Sequence, residues 1–234
     1  MATGRLILIE GMIGAGKSTT AAKLASWLAG HGEDARAYLE FADDHPIRTK
    51  AVDLLRHAHP DATALPDVGA NGVATDPEVY ALDQWARLAG RCVSGQQRVI
   101  LEGVFLQNSV LPPFLDGAPA DEVKAVFAAI ESQIASADPL LIYLRPSNID
   151  QAVTRVHDQR GAASAAQNIA YVSNCPWARS RGLTGREAIV ELYRAWEGVV
   201  DELLATSSCA ILLLVDPQDD WEAALKQIYA AACA

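Results

Sequence analysis

The sequence holds little that would commit it to metal, membrane or polymer chemistry. Its four cysteines, Cys92, Cys175, Cys209 and Cys233, lie far apart and none forms a CxxC pair. That spacing excludes a zinc-finger-type site and reads as thiols in a reducing compartment. His31, His57 and His59 have no metal-ligand spacing either. No apolar run approaches the ~20 residues of a membrane-spanning helix, so no membrane contact is expected. The first residues run straight into a strand pattern, and no signal peptide is expected. Internal repeats and low-complexity tails are absent. Positive charge is scarce: 19 Lys and Arg stand against 29 Asp and Glu, for a formal net charge of -10. A surface that tracks a nucleic-acid backbone needs clustered Lys and Arg, so a nucleic-acid polymer is not an expected partner. These absences together predict a cytoplasmic protein that handles small molecules.

What the chain does have is a core. Half of its 234 residues are hydrophobic, enough for one domain spanning 1–234. Short apolar runs at 5–10, 35–40, 98–103, 139–144 and 210–215 read as strands. Between them lie helical patterns. One starts at Lys17, with Ala21, Leu24, Ala25 and Leu28 on one face, and stops at Gly30 and Gly32. Another, opened by Asp76-Pro77, runs over 77–93 with Val79, Leu82, Ala86 and Ala89 toward the core. Asp121 caps a helix carrying Val123, Phe127, Ile130 and Ile134, and Ser147 with Asp150 resembles a capping box. Thr184 and Glu187 repeat that pattern before a helix with Ile189, Leu192, Tyr193, Trp196, Val200 and Leu203 on one side, and Asp219 starts a last helix. The stretches 58–75 and 161–183 are polar and aperiodic and read as loops. The alternation predicts an α/β domain with a five-stranded parallel sheet and helices on both faces.

Between the first strand and its helix stands Gly11-Met-Ile-Gly-Ala-Gly-Lys-Ser18, a match to GxxxxGK[ST] in the context its mechanism requires. Glycines let the backbone curl around a phosphate, and the backbone N–H groups from Gly11 through Ile13, Gly14, Ala15 and Gly16 can point inward. The helix N-terminus adds partial positive charge. Lys17 is placed to reach the β and γ phosphates, Ser18 to ligate Mg²⁺ and Thr19 to touch the α phosphate. The loop predicts a nucleoside triphosphate, ATP with Mg²⁺, and a P-loop NTPase fold. No NKxD follows a late strand, and Asp158-Gln-Arg-Gly161 matches DxxG in the wrong place, so a GTPase is not expected.

The order of elements, with this loop after the first strand, resembles the thymidylate kinase and deoxynucleoside kinase group of P-loop kinases. The resemblance covers residues 5–229 in layout and reaches motif level at the phosphate loop. It implies a lid after the fourth strand, at about 158–185, and a hydroxyl or phosphate acceptor. By position, Glu40 matches the carboxylate that takes the acceptor proton, with Asp43, Asp44 and His45 as competitors and Asp43 also a candidate acceptor contact. Glu102 ends the third strand, where a carboxylate can hold Mg²⁺ or orient the acceptor. Deoxynucleoside kinases usually place an arginine next; Gly103 stands there instead, which leaves the acceptor open. Gln84 and Arg87 on the 77–93 helix are the acceptor-reading candidates, with Gln107 and Asn108 further on. Arg155 and Arg160 open the lid, followed by Arg179, Arg181 and Arg186; arginine suits a developing phosphoryl charge. Tyr193 and Trp196 read as core, whereas Trp177 is a candidate to cover a substrate. The expectation is an ATP- and Mg²⁺-dependent kinase for a nucleoside, nucleotide or nucleoside-like natural product, acting without nucleic acid or membrane, with a homodimer allowed. An antibiotic-modifying kinase, a regulatory NTPase switch and an inactive nucleotide binder are the alternatives.

Overall fold

A computed structural model describes residues 5–40, 42–48, 81–95 and 97–234. Its centre is a five-stranded, all-parallel sheet in the order β2-β3-β1-β4-β5. The strands are β1 (Leu6–Gly11), β2 (Ala35–Tyr38), β3 (Arg98–Glu102), β4 (Leu140–Arg145) and β5 (Ala210–Val215). Every residue of β3 and the first five of β1 and β4 are buried, which is why these runs are continuously apolar through their centres rather than alternating.

Alternate residues of β1 serve two separate cores, as the two-residue period of a strand demands. Leu6 and Leu8 face one layer, where they meet Trp85, Phe105, Phe127 and Trp196. Ile7 and Ile9 face the other, with Leu24 and Leu28 of α1 (Lys17–Gly30) and Ala224 and Ile228 of α9 (Trp221–Cys233). The first layer is built from α2 (Leu82–Ser94), α4 (Ala120–Ile134) and α8 (Gly185–Thr206). The described chain further holds α3 (Leu111–Leu115), α5 (Ile149–Arg160), α6 (Ala162–Asn174), α7 (Pro176–Arg179), a wide π-helical turn at Leu106–Val110 and a short 3-10 turn at Ala135–Ala137.

The chain leaves β1 toward β2 on one side and leaves β3 toward β4 on the other. Those opposite departures open a crevice at the carboxyl ends of the adjacent strands β1 and β3, where ligands bind in open parallel sheets.

Several expectations need correction. Residues 161–183 are mostly helical rather than irregular: α6 and α7 cover 162–174 and 176–179. Ala162, Ala163, Ala165, Ala166 and Ala170 favour helix without forming an obvious apolar stripe. Helix α2 begins at Leu82 and buries Trp85, Leu88, Ala89 and Cys92. Trp85, fully buried, sets that face, and Ala86 lies exposed on the other. Residues 77–80, the predicted 58–75 loop, His57 and His59 lie outside the described residues. Asn148, not Ser147, caps α5 by accepting the N–H of Gln151 at 3.0 Å. Asp220, one residue after the expected Asp219, caps α9 by accepting the N–H of Ala223 at 3.0 Å. Thr184 holds the N-cap position of α8, but its hydroxyl makes no capping bond. All four cysteines are free, and only Cys233 is exposed. Among the described residues no helix is long and apolar enough to cross a membrane.

Candidate functional site

The glycine-rich turn joins β1 to α1 at the crevice. Gly14 and Gly16 have φ of +76° and +91°, so the backbone curls without side-chain hindrance. Lys17 begins α1 and is only 6% exposed. Its ammonium donates back to the carbonyls of Gly11 at 3.0 Å and Met12 at 3.2 Å. The turn has a rear wall from the far end of the chain: Gln218 donates to the Gly14 carbonyl at 2.5 Å. A Cβ on Gly16 would stand 2.7 Å from the Trp221 ring. Gly16→Ala should therefore lower the stability measured by chemical denaturation by about 1–3 kcal/mol, since overpacking adds to a left-handed backbone. An unchanged denaturation midpoint would show that Trp221 yields freely.

Three carboxylates converge beside Lys17. Glu10, 1% exposed, sits within β1. It accepts the N–H groups of Phe105 at 2.7 Å and Gln107 at 3.2 Å. Burial pushes its carboxyl up to about 7, against the pull of Lys17 and these donors. Glu102, 3% exposed at the end of β3, accepts the backbone N–H of Glu40 at 3.1 Å. Glu40 in turn accepts from the Gln107 side chain at 2.9 Å. Burial raises the Glu40 carboxyl above its ordinary range and Glu102 adds to this, while Lys17 and the amides of Asn108 and Gln107 oppose it. Gly103 shows how tight the group is. A Cβ there would lie 3.5 Å from Lys17 Cε, 3.8 Å from Glu40 Oε2 and 3.9 Å from Gln107 Cδ.

Glu40 also opens onto a cavity of about 310 Å³, with Gln107 and Asn108 beside it. Tyr171 of α6 and Tyr193 of α8 line its walls together with Leu111 and Leu115. Burial raises both phenols, so they stay protonated and can donate. The charged lining is Glu40, Asp116 and Arg160, with the amides of Gln167 and Asn168 from α6.

The structure gathers some sequence candidates and separates others. Lys17, Glu40 and Glu102 come together, and Arg160 and Ile13 line the cavity. Ser18 and Thr19 are exposed at the start of α1. Arg155 does not line that cavity; it lines a small cleft beside the phosphate loop with Ala15, Asp216 and Gln218. Gln84 clamps the backbone of Arg48, accepting its N–H at 2.7 Å and donating to its carbonyl at 3.1 Å. Arg87 pairs with Asp83 at 2.7 Å. Neither Gln84 nor Arg87 lines the cavity, nor does Asp43, which is exposed. Asp44 pairs with Arg36. Arg181 lies over the Trp177 ring at 4.4 Å and donates to its carbonyl. Arg186 pairs with Asp150 at 2.6 Å, and Arg179 is exposed. Trp177 is buried against Phe114 and does not line this cavity.

Sequence reasoning missed Glu10, Tyr171 and the cavity-facing role of Tyr193. The signal for Glu10 was available: a single carboxylate inside an otherwise apolar strand, one residue before the glycines.

No family model matches the chain, and no curated protein matches it. Among solved structures, the crystal structure of APE1195 aligns with a TM-score of 0.42 and 14% identity, over 99% of this chain and 96% of that one.

Proposed function

We propose that the protein is an ATP- and magnesium-dependent phosphotransferase that moves the γ-phosphoryl group to a hydroxyl of a small molecule, a P-loop kinase in the manner of the thymidylate kinase and deoxynucleoside kinase group. One observation carries this reading. Glu40 belongs both to the cluster around Lys17 and to the wall of the adjoining cavity, so a carboxylate stands where a phosphate-binding loop and an acceptor would meet.

The residues fit a triphosphate. The left-handed glycines, the helix N-terminus behind them and the Lys17 ammonium supply donors and positive potential for phosphate oxygens. Among the described residues no group of three or more His, Cys, Asp or Glu could hold a metal ion by itself. Magnesium at phosphate sites needs only one or two protein oxygens beside the phosphates, and Ser18 and Glu102 are the side chains that would supply them. When bound, the ion neutralises charge on the phosphate oxygens. The rest is the chain's own work. Glu40 accepts the hydroxyl proton, Gln107 holds that carboxylate in place, and Lys17 stabilises negative charge on the transferred group. Arg160 stands at the cavity to add a planar donor fork.

The lining favours a hydroxyl over a phosphate acceptor. Among the described residues, two carboxylates and one arginine face the cavity, a balance that repels a dianion. The tyrosines and leucines suit a flat or apolar body, as in a nucleoside, a nucleoside-like natural product or an antibiotic. Acceptor-dependent ADP release across a panel of nucleosides, their monophosphates and hydroxyl-bearing antibiotics tests this. Turnover is expected with at least one free alcohol and at a rate about tenfold or more above the matching monophosphate. Hydrolysis of ATP that no acceptor alters would point instead to a regulatory switch. ATP binding without any turnover would mark an inactive homologue.

A further inference from the structure

Glu10 is an expensive residue for its position. The rest of β1 up to Ile9 is aliphatic, and burying a carboxylate costs several kcal/mol unless donors repay it. Its donors are not on its own element. They are backbone N–H groups of Phe105 and Gln107, at the start of the turn Leu106–Val110, and that turn has no side-chain cap of its own. Gln107, held this way through its backbone, sends its side chain to Glu40 at 2.9 Å, and Asn108 follows it in the same turn. Both amides line the cavity. An unbroken series of contacts thus runs from the last strand residue before the glycine turn, through the 105–107 backbone, to the carboxylate at the acceptor.

We infer that Glu10 is a positioning residue: it caps the Leu106–Val110 turn from β1 and thereby aims the Gln107 amide that orients Glu40. This rests on the kinase reading for its kinetic consequence, but not for its structural one. A leucine would fill the strand site at lower desolvation cost. It would leave two or three buried N–H groups unpaired, and the turn that carries Gln107 would lose its fixed register against the glycine loop.

The experiment combines hydrogen exchange with a double-mutant cycle. Glu10→Gln keeps the volume but turns one acceptor oxygen into a donor facing an N–H. Amide exchange at 105–107 is expected to quicken about tenfold or more, while β3 and β4 stay protected. With an acceptor found in the panel, kcat should fall about tenfold and the KM for ATP should stay within about twofold. Gln107→Ala should produce a similar kinetic loss with exchange at 105–106 unchanged. The double variant should lose no more than about the larger single loss, because both break one series of contacts. If Glu10→Gln fails to fold, Glu10→Asp retains the charge, retracts it from the N–H groups and should give a partial version of both effects.

Additive losses would overturn the inference, as would equal loss of ATP and acceptor parameters together with a lowered melting temperature. Should no acceptor support turnover in the parent protein, the kinase reading fails on its own. The exchange measurement then decides the role of Glu10, and unchanged protection at 105–107 overturns it.

Discussion

Lys17→Ala is expected to reduce turnover by about 10²–10³-fold or more, the scale seen when one preorganised donor to a developing charge is removed. The geometry explains why no neighbour can substitute. Lys17 is buried at the start of α1, and its ammonium is held at the Gly11 and Met12 carbonyls, against the curl of the glycine turn. The carboxylates of Glu10 and Glu40 both interact with its charge. Deleting the cation leaves those acids facing the phosphate site uncompensated, so repulsion adds to the lost attraction. Steady-state kinetics with saturating acceptor, alongside an independent ATP-binding titration, measures the effect. Turnover within a few-fold of the parent would remove Lys17 from the chemistry and leave the glycine turn as a structural feature.

Glu40→Gln should collapse transfer by about 10²–10⁴-fold, the range for losing a positioned general base, with ATP affinity nearly intact. The substitution keeps the size and removes the ability to take a proton. Glutamine also presents an NH₂ to the Gln107 amide, which now donates to Glu40 Oε1, so that local orientation weakens as well. Rapid-quench measurement of a single turnover separates chemistry from product release. If transfer persists, Glu102 inherits the role, because Asp43 is exposed away from the cavity and Asp44 is engaged with Arg36.

Much of this was readable from the chain itself, and the divide follows from how local each signal is. Strands buried on both faces leave apolar runs, so β1, β3 and β4 were visible as strings. The glycine turn was visible because its chemistry is contiguous. The cavity was not contiguous. It draws on Glu40 after β2, the turn after β3, α6 and α8, and no window of sequence holds all four. Tyr193 was assigned to the core because it shares a helical stripe with Ile189 and Trp196. Its phenol stands at the margin of that stripe, half-buried and against open space. Gln84 was chosen by analogy of position, and the structure has it holding the Arg48 backbone instead. Helix α6 escaped notice because alanine-rich helices with mixed faces lack a strong apolar period.

The rear wall of the glycine turn has a consequence for how the protein is made. The Gln218–Gly14 hydrogen bond spans 204 positions, and Trp221 closes against Gly16 from the same segment. The ribosome delivers the glycine turn well before this backing. Until the chain has passed Pro139, it carries the glycine segment with β4 and β5 still missing from its side of the sheet. The site is therefore completed only after β5 although its signature precedes β2, and fragments ending before Gln218 should expose this loop to proteases that the longer chain resists.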